Sequence, residues 1–567
     1  MHQGEINLRR ATRLLQALRD GGVRHVVISP GARSTPLVLA ATRCRDLQTH
    51  VIPDERCAAF FALGLGKAGT APAVVVCTSG TAPANWYPAV IEAAQGQSPL
   101  LLISADRPAE LQDCGANQTI DQTRLFGGFV RGYYPFPADG ADLPRLQVVA
   151  STAAQALDRS RWPLPGPVHL NMVFREPLVP ETFSDEPEAA STTNWRSDYP
   201  ELAAAADAID TLAGELSGKP GLVVAGPARL PPEFTAALGT LAAKLDCMIC
   251  ADPLSGLRFG PHDRTRIASG YDTWLRNPDF AKRHRAQWIL QFGAAPTSAV
   301  LQRYLDGHDD HTRRILVTPA GPWPDPGRRG RHVLHAAPLA VVTALNARVL
   351  EPAAPDWCAA FLKEERRVHA LLADPAQCPP EAAILASVVR QLPAHSRIFA
   401  GNSMVIRDCD SFLPGGDPPL ALLANRGASG IDGNVSTILG LAAGSEPTVV
   451  GLLGDLALYH DMNGLLAARE VNAKLVVFRN GGGAIFGYLP QAGLEGFERY
   501  WLTDPELDYA AVARLYGLPY RRVETPAAFE TAFAAALQQP DSSLIEVIID
   551  RADSLARHRA FWSRFSG

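Results

Sequence analysis

The sequence contains no apolar run of the roughly 18 residues that a membrane-spanning helix needs. Its best candidates, such as Ala73–Cys77 and Leu100–Ile103, have only the length of a strand. The N-terminal residues 1–10 also lack the apolar stretch of a secretory signal. We therefore expect a cytoplasmic protein that does not insert into a membrane.

The sequence also lacks an excess of positive charge and any dense cysteine pattern. Lys and Arg total 53 against 58 Asp and Glu, a net charge of −5, so a nucleic-acid partner is not expected. The nine cysteines are scattered, and the one close pair, Cys247 and Cys250, has no second pair to complete a zinc site. Buried thiols are favoured there over a redox or metal role.

The chain, with 567 residues, is too long for one hydrophobic core, because single domains usually stop growing near about 250–300 residues. Strand-like apolar runs alternate with helical ones, which is typical of parallel α/β layers. These runs are His25–Ser29, Ala73–Cys77, Leu100–Ser104, Val168–Val173, Gly221–Gly226, Gln287–Phe292, Arg314–Thr318, Arg397–Ala400, Thr448–Leu453, Lys474–Phe478 and Leu544–Ile549. We predict three doubly wound parallel-sheet α/β domains, at residues 1–185, 200–350 and 355–567.

Two Pro-containing stretches, Glu181–Pro200 and Pro352–Trp357, are interpreted as linkers between these domains. The middle domain begins with the strand-and-turn pattern of a nucleotide-binding fold. However, its first turn, Gly226-Pro-Ala-Arg229, lacks the second and third glycines of the dinucleotide fingerprint. We expect a nucleotide-type fold that binds no nucleotide.

Polar residues follow two successive strands in the last third of the chain. Asp455 follows Thr448–Leu453 after one glycine, and Asn480 with Gly481–Gly483 follows Lys474–Phe478. Strand ends of an open α/β sheet are where ligands bind, and carboxylate, amide and carbonyl oxygens suit Mg²⁺. Glycines allow the backbone to approach a diphosphate closely. The alternative interpretation is an ordinary glycine-rich turn beside a helix-capping aspartate.

Glu55 lies in Asp54-Glu55-Arg56, where a strand leads into the apolar helix Cys57–Leu65. By itself this position is typical of a first-turn acid that the helix dipole favours. The alternative is a functional carboxylic acid whose pKa is raised for proton transfer.

A set of ordered motifs decides between these interpretations. They are Ile28–Leu37, Asp54-Glu55-Arg56, Thr78–Ala82, Ala105–Pro108, Cys114–Gln118, Ala251–Arg258, Gly401-Asn402-Ser403, Asn425–Gly433, Gly454-Asp455 and Ile485-Phe486. Together, over essentially the full length, they resemble the 2-succinyl-5-enolpyruvyl-6-hydroxy-3-cyclohexene-1-carboxylate synthase family of thiamine-diphosphate enzymes. The resemblance implies a pyrimidine-binding domain, a central domain and a diphosphate-binding domain, in that order.

The resemblance also implies a reaction. The family uses thiamine diphosphate to decarboxylate 2-oxoglutarate and adds the succinyl unit 1,4 to isochorismate, a step of menaquinone biosynthesis. One alternative is a paralogue that uses another acceptor. Another is a non-catalytic subunit that keeps the fold, and the intact Glu55, Asp455 and Asn480 argue against it.

The resemblance implies site residues in three groups. Glu55 activates the cofactor, and Mg²⁺ (with Mn²⁺ as the alternative) is held by Asp455, Asn480 and the Gly482 carbonyl. Other residues implied at the cofactor are Thr81, Asn402, Ser429, Ile431 as the apolar wedge, Gly454 and Phe486. Two sets of residues are implied to bind the small-molecule substrates. Those for the succinyl carboxylate are Ser403, Arg407 and Arg426, and those for the acceptor are Arg33, Arg107, Asn117 and Gln118. Phe486 is implied to form the pocket wall.

The same resemblance implies a homodimer or homotetramer, with active sites where Glu55 of one chain meets Asp455 of another. The sequence departs from the family at a few positions. Ala32 replaces a usual serine and Arg479 a usual asparagine. Ala299 and Val300 stand where basic residues help to bind isochorismate, and Arg303, one helical turn on, is a candidate replacement.

Overall fold

The computed structural model describes residues 2–69, 71–138, 140–183 and 195–566. Within them, three six-stranded sheets, all with parallel strand pairs, follow one another along the chain. The predicted α/β class with three doubly wound parallel sheets is confirmed. Residues 184–194 of the predicted linker Glu181–Pro200 lie outside the described residues.

The N-terminal sheet has the strand order β2-β1-β3-β4-β6-β5. Its strands are β1 (His25–Ile28), β2 (Gln48–Val51), β3 (Val74–Cys77), β4 (Leu100–Asp106), β5 (Tyr133–Phe136) and β6 (Pro167–Val173). Its helices are α1 (Gln3–Asp20), α2 (Thr35–Arg43), α3 (Glu55–Ala68), α4 (Tyr87–Gln95) and α5 (Leu143–Arg161). The central strand β3 is buried along its whole length, since helices cover both faces, whereas the edge strand β2 is half exposed.

The middle sheet has the order β12-β11-β10-β7-β8-β9, which is the strand order of dinucleotide-binding folds. Its strands are β7 (Gly221–Ala225), β8 (Met248–Ala251), β9 (Ile267–Ala268), β10 (Trp288–Phe292), β11 (Arg313–Val317) and β12 (His332–Leu334). Its helices are α6 (Ala206–Leu216), α7 (Pro232–Leu245), α8 (Tyr271–Trp274), α9 (Pro278–Arg283), α10 (Ala299–Asp306) and α11 (Pro338–Asn346). Cys247 and Cys250 are buried free thiols at β8, as the sequence suggested.

The C-terminal sheet, in the order β14-β13-β15-β16-β18-β17, repeats the topology of the N-terminal sheet. Its strands are β13 (Arg397–Ala400), β14 (Ala421–Leu423), β15 (Val449–Gly454), β16 (Ala473–Arg479), β17 (Tyr520–Val523) and β18 (Ser543–Ile548). The helices of this part of the chain are α12 (Pro355–Leu372), α13 (Pro380–Gln391), α14 (Met404–Phe412), α15 (Asn434–Ala443), α16 (Asp455–His460), α17 (Tyr509–Tyr516), α18 (Pro526–Leu537) and α19 (Arg551–Ser563).

The second predicted linker, Pro352–Trp357, is wrong in its second half. Pro355 begins α12, because a proline at the first helical position loses no hydrogen bond there. Glu365 of α12 then accepts hydrogen bonds from the Gly270 backbone at 2.9 Å and the Trp274 indole at 2.8 Å, so this helix packs on the middle sheet's α8.

Helices α3 and α15 pack against each other and join the N-terminal unit to the C-terminal one. Glycines make the contact close. A Cβ on Gly64 would lie 2.2 Å from the Thr437 carbonyl oxygen, and one on Gly440 would lie 2.0 Å from that of Phe61. Only glycine fits at this crossing, so the two units meet backbone to backbone.

No helix among the described residues has both the length and the apolarity to span a bilayer.

Candidate active site

Asp455 lies at the carboxyl end of β15 and organises the glycine-rich loop after β16. Its Oδ2 accepts hydrogen bonds from the backbone N–H groups of Asn480, Gly481 and Gly482 at 2.9–3.1 Å, and its Oδ1 accepts one from Leu456. Burial raises the pKa of this carboxyl, and the loop N–H groups oppose that rise. The carboxylate and the loop are thus brought together as the strand-end argument predicted.

Asn480 supplies a buried oxygen with no partner. Its Oδ1 is shielded from solvent and makes no hydrogen bond, an arrangement that is costly unless a ligand completes it. The Gly482 carbonyl accepts one hydrogen bond, from the Ala484 backbone, which leaves its second lone pair available. Among the described residues no three or more His, Cys, Asp or Glu cluster as a metal site. A single carboxylate with amide and carbonyl oxygens instead suits a cation that also binds phosphate oxygens.

The glycine loop can have no side chains at its centre. Gly481 and Gly482 have φ values of +78° and +96°, in the left-handed region, and a Cβ on Gly482 would lie 1.9 Å from the Leu502 carbonyl oxygen. Arg479, where the resemblance implies asparagine, turns away to the buried Glu546 at 2.9 Å. Its charge is therefore already neutralised beside the loop.

Glu55 is the first residue of α3 and is partly buried. The helix is capped by Asp54, whose side chain accepts from the backbone of Arg56 and Cys57 and from Asn463 of the C-terminal unit. Burial raises the pKa of Glu55, and the charge of Asp54 adds to the rise. A carboxyl with a raised pKa suits proton transfer. No hydrogen bond between the described residues of one chain joins Glu55 to the Asp455 loop.

The loop Asn425–Gly433 is held by residues from two units. Asn402 donates from Nδ2 to the carbonyl oxygens of Asn425 and Gly430, at 2.7 Å each, while its Oδ1 accepts from Arg426. The buried Glu92 of α4 accepts from the backbone of Gly427 and Ala428. Both Nδ2 hydrogens of Asn402 are used in this way, so a further contact of this side chain could be made only through the second lone pair of Oδ1.

Arg407 and Arg426 form a pair of like charges in the C-terminal unit. Partial burial lowers the pKa of Arg426, and the positive charge of Arg407 lowers it further. Among the described residues neither arginine has a carboxylate within salt-bridge distance. Ser403, just before α14, has a φ of +69°, a strained backbone for a residue with a side chain. Arg407 and Arg426 therefore have the charge and the free guanidinium hydrogens that binding a carboxylate would need, and Arg407 also donates to the Ser403 carbonyl oxygen.

Arg33 and Arg107 form a second such pair in the N-terminal unit. Burial lowers the pKa of Arg107, and the charge of Arg33 adds to the effect. Arg33 is itself buried and bound to Glu176 at 2.7 Å and to the Phe174 carbonyl at 3.0 Å. Arg107 donates to the Ser79 hydroxyl. Arg107 is therefore better placed than Arg33 to meet an anion.

A network of buried polar side chains, which the sequence did not predict, lies beside the Arg33–Arg107 pair. Asn171 of β6 donates to Asp106 at 2.7 Å and accepts from Ser104 and Gln122. Gln122 in turn accepts from the Gly80 backbone. The signal in the sequence was the alternation of polar residues, including Asn171, within an otherwise apolar buried strand.

The remaining predicted residues lie around these features. Gln118 has a φ of +54° and exchanges hydrogen bonds with Ser79, so it borders Arg107. Asn117 and Thr81 are exposed, and Ser429, with a φ of +61°, is exposed on its loop. Ile431 is partly buried against the core that α3 and α15 share. Phe486 packs over Gly483, beside the loop that Asp455 organises.

On α10, the two positions where the resemblance implies basic residues for binding isochorismate have no basic side chain. Ala299 is exposed and Val300 is buried, while Arg303 lines a cavity of about 550 Å³ together with Arg276 and Arg285. Arg303, the one basic residue of α10, thus faces that cavity.

Comparisons with known proteins cover all three units. Residues 9–125 match the family model "Thiamine pyrophosphate enzyme, N-terminal TPP binding domain", and residues 415–547 match the corresponding C-terminal TPP binding domain. Residues 192–400 match "Middle domain of thiamine pyrophosphate". The chain thus carries thiamine diphosphate-binding domains at both ends.

Full-length relatives give the family. A 2-succinyl-5-enolpyruvyl-6-hydroxy-3-cyclohexene-1-carboxylate synthase of Dechloromonas aromatica is 40% identical over 96% of this chain and 99% of its own. Synthases of the same name from Chloroflexus aurantiacus and Haloarcula marismortui are each 39% identical over 97% of this chain, and over 94% and 96% of their own. The chain therefore belongs to the 2-succinyl-5-enolpyruvyl-6-hydroxy-3-cyclohexene-1-carboxylate synthase family of thiamine pyrophosphate enzymes.

Proposed function

We propose that this protein decarboxylates 2-oxoglutarate with thiamine diphosphate and adds the succinyl unit 1,4 to isochorismate. The product is 2-succinyl-5-enolpyruvyl-6-hydroxy-3-cyclohexene-1-carboxylate, an intermediate of menaquinone biosynthesis. The observation that carries this is the presence of two arginine pairs, Arg407 with Arg426 and Arg33 with Arg107, in the two units with cofactor-binding domains. Each substrate is a dicarboxylate, and each pair would receive one of them.

Thiamine diphosphate supplies the electron sink that makes the loss of CO₂ from a 2-oxo acid possible. The chain's contribution is to bind and orient. Asp455, Asn480 and the Gly482 carbonyl would hold Mg²⁺, or Mn²⁺ in its place, against the diphosphate. The unpartnered Oδ1 of Asn480 supports this assignment. Gly454, Thr81 and Ser429 would border the cofactor, with Ile431 as an apolar wedge and Phe486 as a wall.

Glu55 would hold and release a proton at the aminopyrimidine ring. Burial raises the pKa of Glu55 above its ordinary value, which suits a group that must both donate and accept a proton. Ser403, Arg407 and Arg426 would bind the carboxylate of the succinyl unit, and Arg33, Arg107, Asn117 and Gln118 the acceptor.

The site would be shared between two chains of a homodimer or a larger homo-oligomer. Glu55 and the Asp455 loop stand in different units and make no direct hydrogen bond within one chain. In a two-fold dimer, the N-terminal unit of each chain would lie against the C-terminal unit of the other chain, which would form two sites. The cytoplasmic location expected from the sequence stays a prediction.

The experiment is to incubate the purified protein with thiamine diphosphate, Mg²⁺, 2-oxoglutarate and isochorismate, and to identify the product by mass spectrometry. We expect the adduct, with one CO₂ released for each molecule formed. The absence of a cation at Ala299 and Val300 favours one competing function, transfer to a different acceptor. CO₂ release without the isochorismate adduct would support that function and reject ours.

A further inference from the structure

The helix α19, near the end of the chain, contacts three segments of the proposed site. The Arg551 guanidinium donates to the Gly481 carbonyl of the glycine loop at 3.3 Å. Arg559 donates to the Gly487 carbonyl, next to Phe486, at 3.0 Å. His558 contacts Asp408 of α14 at 3.1 Å, and Asp408 directly follows Arg407. One helix therefore supports the metal loop, the pocket wall and the arginine-bearing helix.

The hydrogen-bond partners of His558 determine which of its ring nitrogens carry a hydrogen. Its Nδ1 lies 2.8 Å from the Ser554 carbonyl oxygen, which can only accept, so Nδ1 carries a hydrogen. Its Nε2 faces Asp408 Oδ1, also an acceptor when the carboxyl is ionised. A hydrogen bond between them therefore requires one more proton, placed on the imidazole or on the carboxyl.

The pair is enclosed. His558 has no exposed surface and Asp408 is 5% exposed, and the imidazole packs edge-on against Phe412 and Tyr488. Another acid nearby is the buried Glu381 of α13, which accepts from the Ser554 hydroxyl. The charged groups around the pair are thus Glu381, Arg407 on the same helix as Asp408, and Arg559 beside Tyr488.

Helix α14 needs such supports, because its start is strained at Ser403. A residue in this conformation persists only when the surrounding structure holds it. The carboxyl end of α14 is held by the buried Arg258, which donates to the carbonyl oxygens of Asp410 and Leu413 at 2.9 Å each. The guanidinium does not titrate in the accessible range, but Arg258 also contacts the Asp410 carboxyl, whose pKa burial raises to about 7. Asp410 is ionised above that pH, so the Arg258 support is complete at alkaline pH. Asp408 and His558 form the support that alkaline pH can remove.

We propose that His558 is a positioning residue for the 2-oxoglutarate site, acting through Asp408 to hold α14 and with it Ser403 and Arg407. This inference rests on the proposed function, since it assumes that Arg407 binds the donor substrate. It goes beyond that function by making affinity for 2-oxoglutarate depend on one proton that none of the proposed substrate-binding residues carries.

The direction of the pH effect follows from the charges. Burial alone would lower the pKa of His558, but its hydrogen bond to Asp408 and the charges of Asp408 and Glu381 outweigh it and raise the pKa above the ordinary value. The bridging proton is therefore present below this raised pKa and is lost as pH rises through it. Helix α14 then loses one support at alkaline pH.

The test measures the Michaelis constant for 2-oxoglutarate, by CO₂ release from the complete holoenzyme, as a function of pH. In the native protein we expect this constant to rise about tenfold across the alkaline limb, the lower end of what loss of an orienting contact costs. The Michaelis constant for isochorismate should stay nearly unchanged. In Asp408→Asn the asparagine amide can donate to the neutral His558 Nε2, and in His558→Gln the glutamine amide can donate to the Asp408 carboxylate. Both hydrogen bonds persist without the bridging proton, so the alkaline rise should disappear in both variants.

Asp553→Asn is the matched control, because it makes the same chemical change on the exposed side of α19. It should reproduce the native pH profile. His558→Leu would leave Asp408 buried without a partner and is expected to fold poorly, so the conclusion depends on the two isosteric variants. If the Michaelis constant for 2-oxoglutarate still rose at alkaline pH in both variants, the proposed role of His558 would be wrong, while the proposed function would stand. A native protein that releases no CO₂ from 2-oxoglutarate would overturn the proposed function as well.

Discussion

Glu55 occupies the first turn of a helix, where the partial charges of the helix N-terminus favour any carboxylate. Position alone therefore says little about its role. Burial and the neighbouring Asp54 raise its pKa, the opposite of what the helix terminus would do, and this supports the role proposed for Glu55 in proton transfer.

The Glu55→Gln variant should lose nearly all turnover, because glutamine keeps the shape and a hydrogen bond but cannot carry the proton. Cofactor affinity, measured by calorimetry, should change much less than the turnover number. Glu233→Gln is the control, since Glu233 is an exposed first-turn glutamate of α7 and should be neutral in both measurements. Near-normal turnover of Glu55→Gln would show that another group moves the proton.

Arg407→Met removes a charge and keeps most of the aliphatic stem. Loss of one charged hydrogen bond to the donor carboxylate should weaken 2-oxoglutarate binding by about 1.5–3 kcal/mol, seen as a higher Michaelis constant for that substrate. Arg107→Met should instead raise the constant for isochorismate. If each variant affected the other substrate, the two pairs would have to exchange roles.

Single residues also show where sequence reasoning stops. Asp455 and Asn480 could be predicted because consecutive parallel strands end at one edge of a sheet. Glu92 could not, since its hydrogen bonds to Gly427 and Ala428 cross between units far apart in the sequence. The contact of the buried Arg33 with Glu176 could not be predicted either, because Glu176 follows β6, far from Arg33 in the sequence.

At the scale of elements, the central strands could be predicted and the edges could not. β13 was predicted with its bounds, and β3 and β16 to within a residue, because burial on both faces leaves a continuous apolar run. The edge strands β5, β9, β12, β14 and β17 were missed, and β2 was expected only as a strand of unstated length before Asp54, since short or half-exposed strands carry no such run. Proline likewise misled at Pro355, which begins a helix rather than a linker.

The crossing of α3 and α15 predicts a large effect from a small substitution. Gly440→Ala would place a methyl group against the Phe61 backbone and should lower the free energy of unfolding by about 1–3 kcal/mol, measured by urea denaturation. Gly239→Ala, in α7 with nothing near its Cβ position, should instead stabilise the protein by about 0.5–1 kcal/mol. Equal stability of both variants would mean that the two units do not meet at Gly440.

At the scale of the whole molecule, the terminal sheets have the same strand order, and the middle sheet has another. The terminal units match the two thiamine pyrophosphate-binding domains, one with Glu55 and one with Asp455. The proposed cofactor site needs both residues, and the proposed oligomer would supply them from two chains. The net charge of −5 makes the two arginine pairs local exceptions on a slightly acidic molecule, which fits anionic substrates.

The central proposal, that one cofactor site joins Glu55 of one chain to Asp455 of another, is tested by mixing two inactive variants. Glu55→Gln and Asp455→Asn chains are unfolded and refolded together, and product formation from 2-oxoglutarate and isochorismate is measured. Each mixed dimer would contain one intact site, so random pairing should restore about a quarter of the native activity. A mixture no more active than either variant alone would contradict the shared site.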